Sequence, residues 1–364
     1  MPRVALAERG IPLSGPRVLR SKPSFCYVRI IPLLRTRIIM AEQLESIKLP
    51  VREEMERFET FFRESMRSSV PLLESITRYI VKRKGKQIRP LFVFLSAGLC
   101  GGINEATSRG ATLIELLHTA TLVHDDVVDD SNLRRGFFSI NALWKNKIAV
   151  LVGDYLLSRG LLLSLDNEDF TLLKIVSEAV RKMSEGELLQ LEKARKLDIR
   201  EEIYFEIIRQ KTASLIASCC AVGAASAGSP AKTVEQLRLF GELTGMAFQI
   251  KDDLLDFRKG STTGKPQGAD IKESKFTLPL IYALRKTDFL TRRKITYIIK
   301  NNRNEEDKVR QVMDFVRNSG GMEYAQAEMM KFRDQAFQIL DQFPKSPYRD
   351  SLSDLVKFTT EREK

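Results

Sequence analysis

From Thr212 to Ala231 the chain runs for twenty positions without a Lys, Arg, Asp or Glu. About 20 residues are enough to span a bilayer. Composition points elsewhere: Ala, Ser, Gly and Cys dominate the stretch and give too little apolar area for lipid. Small side chains instead let a helix approach its neighbours closely. The stretch is therefore expected to be the central core helix of a buried bundle.

The rest of the chain agrees with a helical surrounding. Residues 47–66 and 70–82 carry apolar residues at helical spacing, with Pro71 suited to a first turn. Arg89-Pro90 opens another helix over Leu91–Cys100, which Gly101-Gly102 closes. No stretch alternates as a half-buried strand would, no glycine-rich phosphate loop follows a strand, and no solenoid repeat is present. The prediction is an all-α fold, with residues 40–364 as a single domain.

Composition, 43% hydrophobic and 29% charged over 364 residues, is that of a soluble globular protein. The net charge of +12 is unevenly placed. Residues 1–40 hold eight Lys/Arg and one acid, so the remainder is only mildly basic and nucleic acid is not the expected partner. Residues 1–39 are a basic extension rich in Pro and Arg, with no signal-peptide core and no spanning helix. They are either an organelle-targeting segment or an upstream translated stretch; Met40, which opens a helix-forming run, is the more natural start. The four cysteines, Cys26, Cys100, Cys219 and Cys220, lack metal or disulfide spacing. Reduced thiols in a cytoplasm are expected, with Cys219 and Cys220 as small apolar fillers.

Chemistry concentrates in two places. Leu113, Leu116, Leu117, Ala120, Val123 and Val127 fall at three- and four-residue steps, marking a helix whose far end carries Asp125-Asp126-Val127-Val128-Asp129. Asp125 and Asp129 then stand one turn apart on one face. Carboxylates so placed repel each other unless a cation lies between them, and carboxylates plus a diphosphate form the usual Mg²⁺ site. A second copy is Asp252-Asp253-Leu254-Leu255-Asp256. One such cluster could be a solvated helix face. Two, each embedded in Leu, Ile, Val and Phe, point to a two-walled acidic cavity for Mg²⁺ and a polyanion.

With these motifs in view the chain resembles the trans-isoprenyl diphosphate synthases of polyprenyl type, from about Glu45 to its C-terminus. The ordered motifs are Gly85-Lys86-Gln87-Ile88-Arg89-Pro90, the first aspartate stretch followed by Arg134-Arg135-Gly136, then Lys211-Thr212, the second aspartate stretch and Gly264-Lys265. The resemblance implies an isoprenoid synthase-type bundle of antiparallel helices around a central cavity. It also implies condensation of isopentenyl diphosphate with an allylic diphosphate, assisted by three Mg²⁺ ions. By the same resemblance Asp125, Asp126, Asp129, Asp252 and Asp256 are the metal residues, with Asp253 and Asp256 acting through water or supporting contacts. Arg134, Lys211, Thr212, Gln249 and Lys265 hold the allylic diphosphate, and Lys86, Arg89, His118 and Arg135 hold isopentenyl diphosphate. Asp125, Asp129, Asp252, Lys211 and Lys265 form the catalytic set. A homodimer is implied, with its product handed to membrane enzymes.

Two departures stand out: the first basic motif lacks one glycine and one cation, Gln87 following Lys86, and Phe137-Phe138 occupy a stretch where many members have a proline. Of the two histidines, His118 lies two turns from Asp125 on the same face, and His124 adjoins the acids. Product length is expected to be set on the helix bearing the first motif. One turn above Asp125, Ala120 and Thr121 leave open a path that aromatic residues close in short-chain members, with Leu117, Leu116 and Leu113 further along. A quinone side-chain precursor longer than C20 is expected. The alternatives are a short-chain farnesyl or geranylgeranyl synthase, or a non-catalytic subunit of a heteromeric synthase.

Overall fold

The structure is a computed structural model that describes residues 40–83, 85–134, 137–196, 200–258 and 268–361. The chain divides into a unit over Met1–Gln43 and one over Leu44–Lys364, and the second holds the helical bundle and its cavities.

Fifteen α-helices that follow residue 51 carry this unit among its described residues: α1 Arg52–Ser65, α2 Pro71–Lys82, α3 Ile88–Leu99, α4 Glu105–Val128, α5 Ile140–Leu165, α6 Phe170–Lys196, α7 Glu201–Ile208, α8 Ser214–Ser226, α9 Ala231–Phe257, α10 Ala269–Lys272, α11 Leu278–Lys286, α12 Phe289–Asn301, α13 Glu306–Arg317, α14 Gly321–Leu340 and α15 Pro347–Thr360. The all-α expectation holds. The exception is a hairpin of two-residue strands, β1 Leu133–Arg134 and β2 Phe137–Phe138, paired antiparallel with Arg134 opposite Phe137.

The uncharged stretch is the centre of the bundle. Every residue of α8 from Ser214 to Ala224 is buried, and α3, α4, α6 and α9 pack around it. Its small residues explain how: a Cβ on Gly223 would lie 2.3 Å from the Val93 carbonyl oxygen and 2.8 Å from Ser96 Cβ, so α3 crosses α8 at backbone distance. Cys219 and Cys220 are wholly enclosed here, and burial pushes the Cys220 thiol up to about 12. They pack as apolar filler.

The helix is shorter than its uncharged run. Thr212 and Ala213 belong to a π turn, Arg209–Ala213, in which the Ser214 N–H donates to the Arg209 carbonyl, and Gly228 turns the chain at φ 74° beyond Ser226. α3 likewise begins at Ile88, three residues before the expected Leu91, because Gln87 (φ 53°) takes the sharp turn and leaves Pro90 inside the first turn, where its missing N–H costs nothing.

α4 starts at a capping box in which the Asn104 side chain accepts the Thr107 N–H at 3.0 Å, and stops where Asp130 turns to φ 48°. It packs on α5, which by length and composition is the one described helix able to cross a membrane, although 33% of its most apolar window is buried inside the protein. Val150, Leu151, Leu162 and Leu165 form an exposed apolar face on the part of α5 that follows Lys145, where the backbone leaves helical geometry at φ 72°.

Candidate active site

α4 presents three faces, and its acidic end is sorted among them. One face meets α5: His124 Nε2 lies 3.3 Å from the Val150 carbonyl and 3.5 Å from Asp154, and its ring fills the space a side chain on Gly153 would need. His124 therefore braces two helices beside the acid cluster. Leu117 and Leu113 also turn to α5, against Gly160. A second face carries His118, Thr121, Leu122, Asp125 and Val128, at three- and four-residue steps, into a cavity of about 520 Å³. The third, with Glu115, Thr119, Val123 and Asp126, lines a smaller cavity of about 120 Å³ that His118 and Leu122 share.

The large cavity is mostly apolar. Phe92, Met183, Leu188, Leu191, Leu215 and Phe248 line its walls, with Arg89, Lys211 and Glu187 among its few charges. Of the expected length-setting residues, Thr121 lines this cavity, whereas Ala120, 2% exposed, and Leu117 lie behind its wall. Thr121 Oγ1 is bonded to the His118 carbonyl at 2.8 Å, which leaves its methyl group as the surface the cavity meets.

A second cavity, of about 280 Å³, adjoins the first through Lys211 and Thr212, which line both. The π turn makes this sharing possible, because an extra residue in the turn swings Lys211 and Thr212 toward the cavities. Gly186 of α6 admits it: a Cβ there would lie 2.8 Å from Gln210 Cβ and 2.9 Å from the Lys211 nitrogen. Lys211 pairs with Glu187. Four cations, Lys193, Arg200, Lys211 and Lys275, and three acids, Asp252, Asp253 and Asp270, line this second cavity.

The two aspartate motifs repeat one design. Asp125, Asp129 and Asp252 are exposed, and the middle acids Asp126 and Asp253 are buried at 3% and 6%. Asp126 sits in the small cavity, and its carbonyl accepts the Asn141 amide at 3.1 Å. Asp253 Oδ2 accepts the Tyr204 hydroxyl at 2.7 Å and Oδ1 accepts Gln249 Nε2 at 2.9 Å, while Gln249 Oε1 accepts Thr212 Oγ1 at 2.8 Å. Burial, with Asp270 and Asp252 nearby, pushes the Asp253 carboxyl well above the usual carboxylate range. Asp256 turns away from open solvent: its two oxygens accept the Ala269 and Asp270 N–H groups at 3.2 and 3.3 Å and so cap α10.

The exposed acids can hold a divalent cation, though not alone. Among the described residues no three His, Cys, Asp or Glu side chains close a metal cage. Sites built from one or two carboxylates with diphosphate oxygens and water completing the shell are the usual Mg²⁺ arrangement, and this donor set fits it.

Lys275 and Asp270 carry no sequence motif, and reading the chain missed both. Burial lowers the Lys275 ammonium's proton affinity, but Glu273, Asp270 and Asp129 outweigh it and hold the group above its ordinary value. One lysine on the cavity of the second motif thus senses an acid of the first. Of the remaining expected residues, Lys86 is exposed with Nζ 5.0 Å from the Phe358 ring centre, and Arg89 and His118 line the large cavity. Arg134 is placed by its backbone in β1. Arg135 and Lys265 lie outside the described residues.

The family model for polyprenyl synthetase matches residues 70–316. The chain is 39% identical over 320 residues to the all-trans-nonaprenyl-diphosphate synthase (geranyl-diphosphate specific) of Rhodobacter capsulatus, covering 87% of this chain and 98% of that protein. It is 34% identical to the octaprenyl diphosphate synthase of Escherichia coli, over 88% and 99% of the two chains. The crystal structure of a polyprenyl synthase from Caulobacter crescentus, complexed with calcium and isoprenyl diphosphate, superposes with a TM-score of 0.82 at 32% identity, covering 88% of this chain and 98% of that one. The chain belongs to the polyprenyl synthetase family, the trans-isoprenyl diphosphate synthases.

Proposed function

We propose that this trans-prenyltransferase condenses isopentenyl diphosphate with an allylic diphosphate, in a Mg²⁺-dependent reaction, to give an all-trans polyprenyl diphosphate longer than C20. The observation that carries the reading is the joining of a polar cavity, with Asp252 and four cations on its wall, to a larger apolar one through Lys211 and Thr212. Such a pair suits a substrate with a charged head and a hydrocarbon tail.

Breaking the allylic C–O bond leaves a carbocation and adds charge to the departing pyrophosphate. The isopentenyl double bond then attacks the cation, a C–C bond forms, and a proton leaves. Bound Mg²⁺, three ions in this reading, supplies charge that stabilises the departing group. Asp125, Asp129 and Asp252 would hold the ions, with Asp126 and Asp253 fixing the helix ends that carry them. Asp256 acts through α10. Lys211, Arg134 and Lys265 would take the allylic diphosphate, with Thr212 and Gln249 as neutral donors, and preorganised cations there lower the barrier to ionisation. Lys86, Arg89, His118 and Arg135 would take isopentenyl diphosphate. The apolar walls keep water from the carbocation.

The exposed face of α5 supports a homodimer, since a run of Leu and Val of that kind is unusual on a monomer's surface. Free thiols at Cys100, Cys219 and Cys220 fit a reducing cytoplasm, from which a long product passes to membrane enzymes. Incubation with Mg²⁺, farnesyl diphosphate and isopentenyl diphosphate tests the reaction. Diphosphates longer than C20 are expected, and unchanged substrates or a cyclised hydrocarbon would overturn it.

A further inference from the structure

The structure brings together the two stretches in which this chain departs from its family's motifs. Arg83 ends α2, four residues before Gln87, the position that lacks a cation. Its guanidinium carbon lies 3.6 Å from the centre of the Tyr79 ring and 4.2 Å from that of Phe137 in the hairpin. Arg83 also donates to the Tyr79 hydroxyl, which donates in turn to the Phe138 carbonyl at 2.6 Å. Edge-on contact with Trp144, at 5.1 Å, fixes the Tyr79 ring.

This arrangement holds the guanidinium by its faces. Of its five N–H donors one is engaged by Tyr79, and among the described residues no carboxylate pairs with it. A planar cation fixed in that way keeps its edge for an anion and loses little freedom on binding one. Arg83 lines the small cavity together with Gly85, the neighbour of Lys86, and with His118. Glu115 and Asp126 line it too, while neither Lys86 nor Arg89 does, so a diphosphate held there needs a cation on the cavity wall itself.

We propose that Arg83 is a ligand of the isopentenyl diphosphate headgroup and supplies the cation that Gln87 does not. The inference rests on the prenyltransferase reading above and assigns one residue within it.

The test is steady-state kinetics with Mg²⁺ and farnesyl diphosphate on wild type, Arg83→Gln, and Arg83→Gln combined with Gln87→Arg. Loss of a charge-assisted contact is expected to raise KM for isopentenyl diphosphate about tenfold or more. KM for farnesyl diphosphate should stay within about twofold, since the allylic contacts are made elsewhere. Arginine at position 87 should recover most of the loss. An unchanged KM for isopentenyl diphosphate overturns the proposal. So does a parallel loss, with both KM values rising and kcat falling, that Gln87→Arg leaves unrepaired, because a mere brace for the hairpin behaves that way. Should Arg83→Gln melt below the assay temperature, Arg83→Met, which keeps the contact with both rings, is read by the same criteria. Wild type that elongates nothing defeats the functional reading itself, a result distinct from any difference between variants.

Discussion

Tyr204→Phe removes one oxygen from a buried corner of the site. Tyr204 is 5% exposed, and its hydroxyl joins Gln249 in donating to the buried Asp253 carboxyl. A hydrogen bond to a charged group contributes about 1.5–3 kcal/mol, against about 1 kcal/mol between neutral groups. A loss of about 2 kcal/mol is expected, roughly 30-fold in the folding constant. In an Asp253→Asn background the acceptor is neutral, and the same substitution should cost about 1 kcal/mol, a coupling of about 1 kcal/mol.

The sign of the pH dependence comes from linkage. The folded pKa of Asp253 lies above the unfolded value, so between the two the folded chain binds the extra proton, and this group's contribution to stability falls as pH rises from about 4. Tyr204 opposes that shift by donating to the charged form. Its removal should therefore cost more at pH 7 than at pH 5. Urea unfolding of the metal-free protein, followed by circular dichroism, measures all of these quantities. A loss below about 0.5 kcal/mol, or one equal at both pH values and in both backgrounds, refutes the reasoning.

Asp125→Ala and Asp252→Ala should each lower turnover at saturating Mg²⁺ by about 10³-fold or more while the helical spectrum persists, and near-wild-type turnover in either would remove the metal assignment. Thr121→Phe, placed on the cavity wall, should shorten the longest product with the first condensation intact, and Ala120→Phe, placed behind it, should first reduce stability; product chromatography and thermal melts separate the two, and the reverse pattern would put the path on the other side of α4. Gly223→Ala should destabilise by about 1–3 kcal/mol despite alanine's better helix propensity, because the new methyl meets the α3 backbone; equal or greater stability in urea would contradict that packing.

Periodicity and composition made much of this legible beforehand. The uncharged run identified α8 as the core, and the spacing of Leu113 through Val127 located α4 with its acids at the far end. Family motifs then named several of the polar residues found at the cavities, Arg89, His118, Asp125, Lys211, Thr212, Gln249 and Asp252 among them. What stayed hidden depends on tertiary placement. Ala120 and Thr121 are adjacent in sequence, and only the packing of α5 decides which of them meets the cavity. His124 adjoins the acids yet faces another helix. Asp256 completes a motif while capping α10 from thirteen residues away. Lys275 matters because the loop after α10 half-buries it near both acid groups, and no spacing along the chain encodes that.

The π turn at Arg209–Ala213 limits how the site can change. Helical residues run without a break from Glu201 to Ser226, so the turn amounts to one surplus residue in a continuous rod. Removing a single residue there would let α7 and α8 merge into regular helix, at the cost of turning one against the other by about 100°. Either the core helix would keep its seat and Tyr204 would leave Asp253, or the reverse. A length change of one residue, trivial in a surface loop, is at this point a choice between the fold's centre and its chemistry.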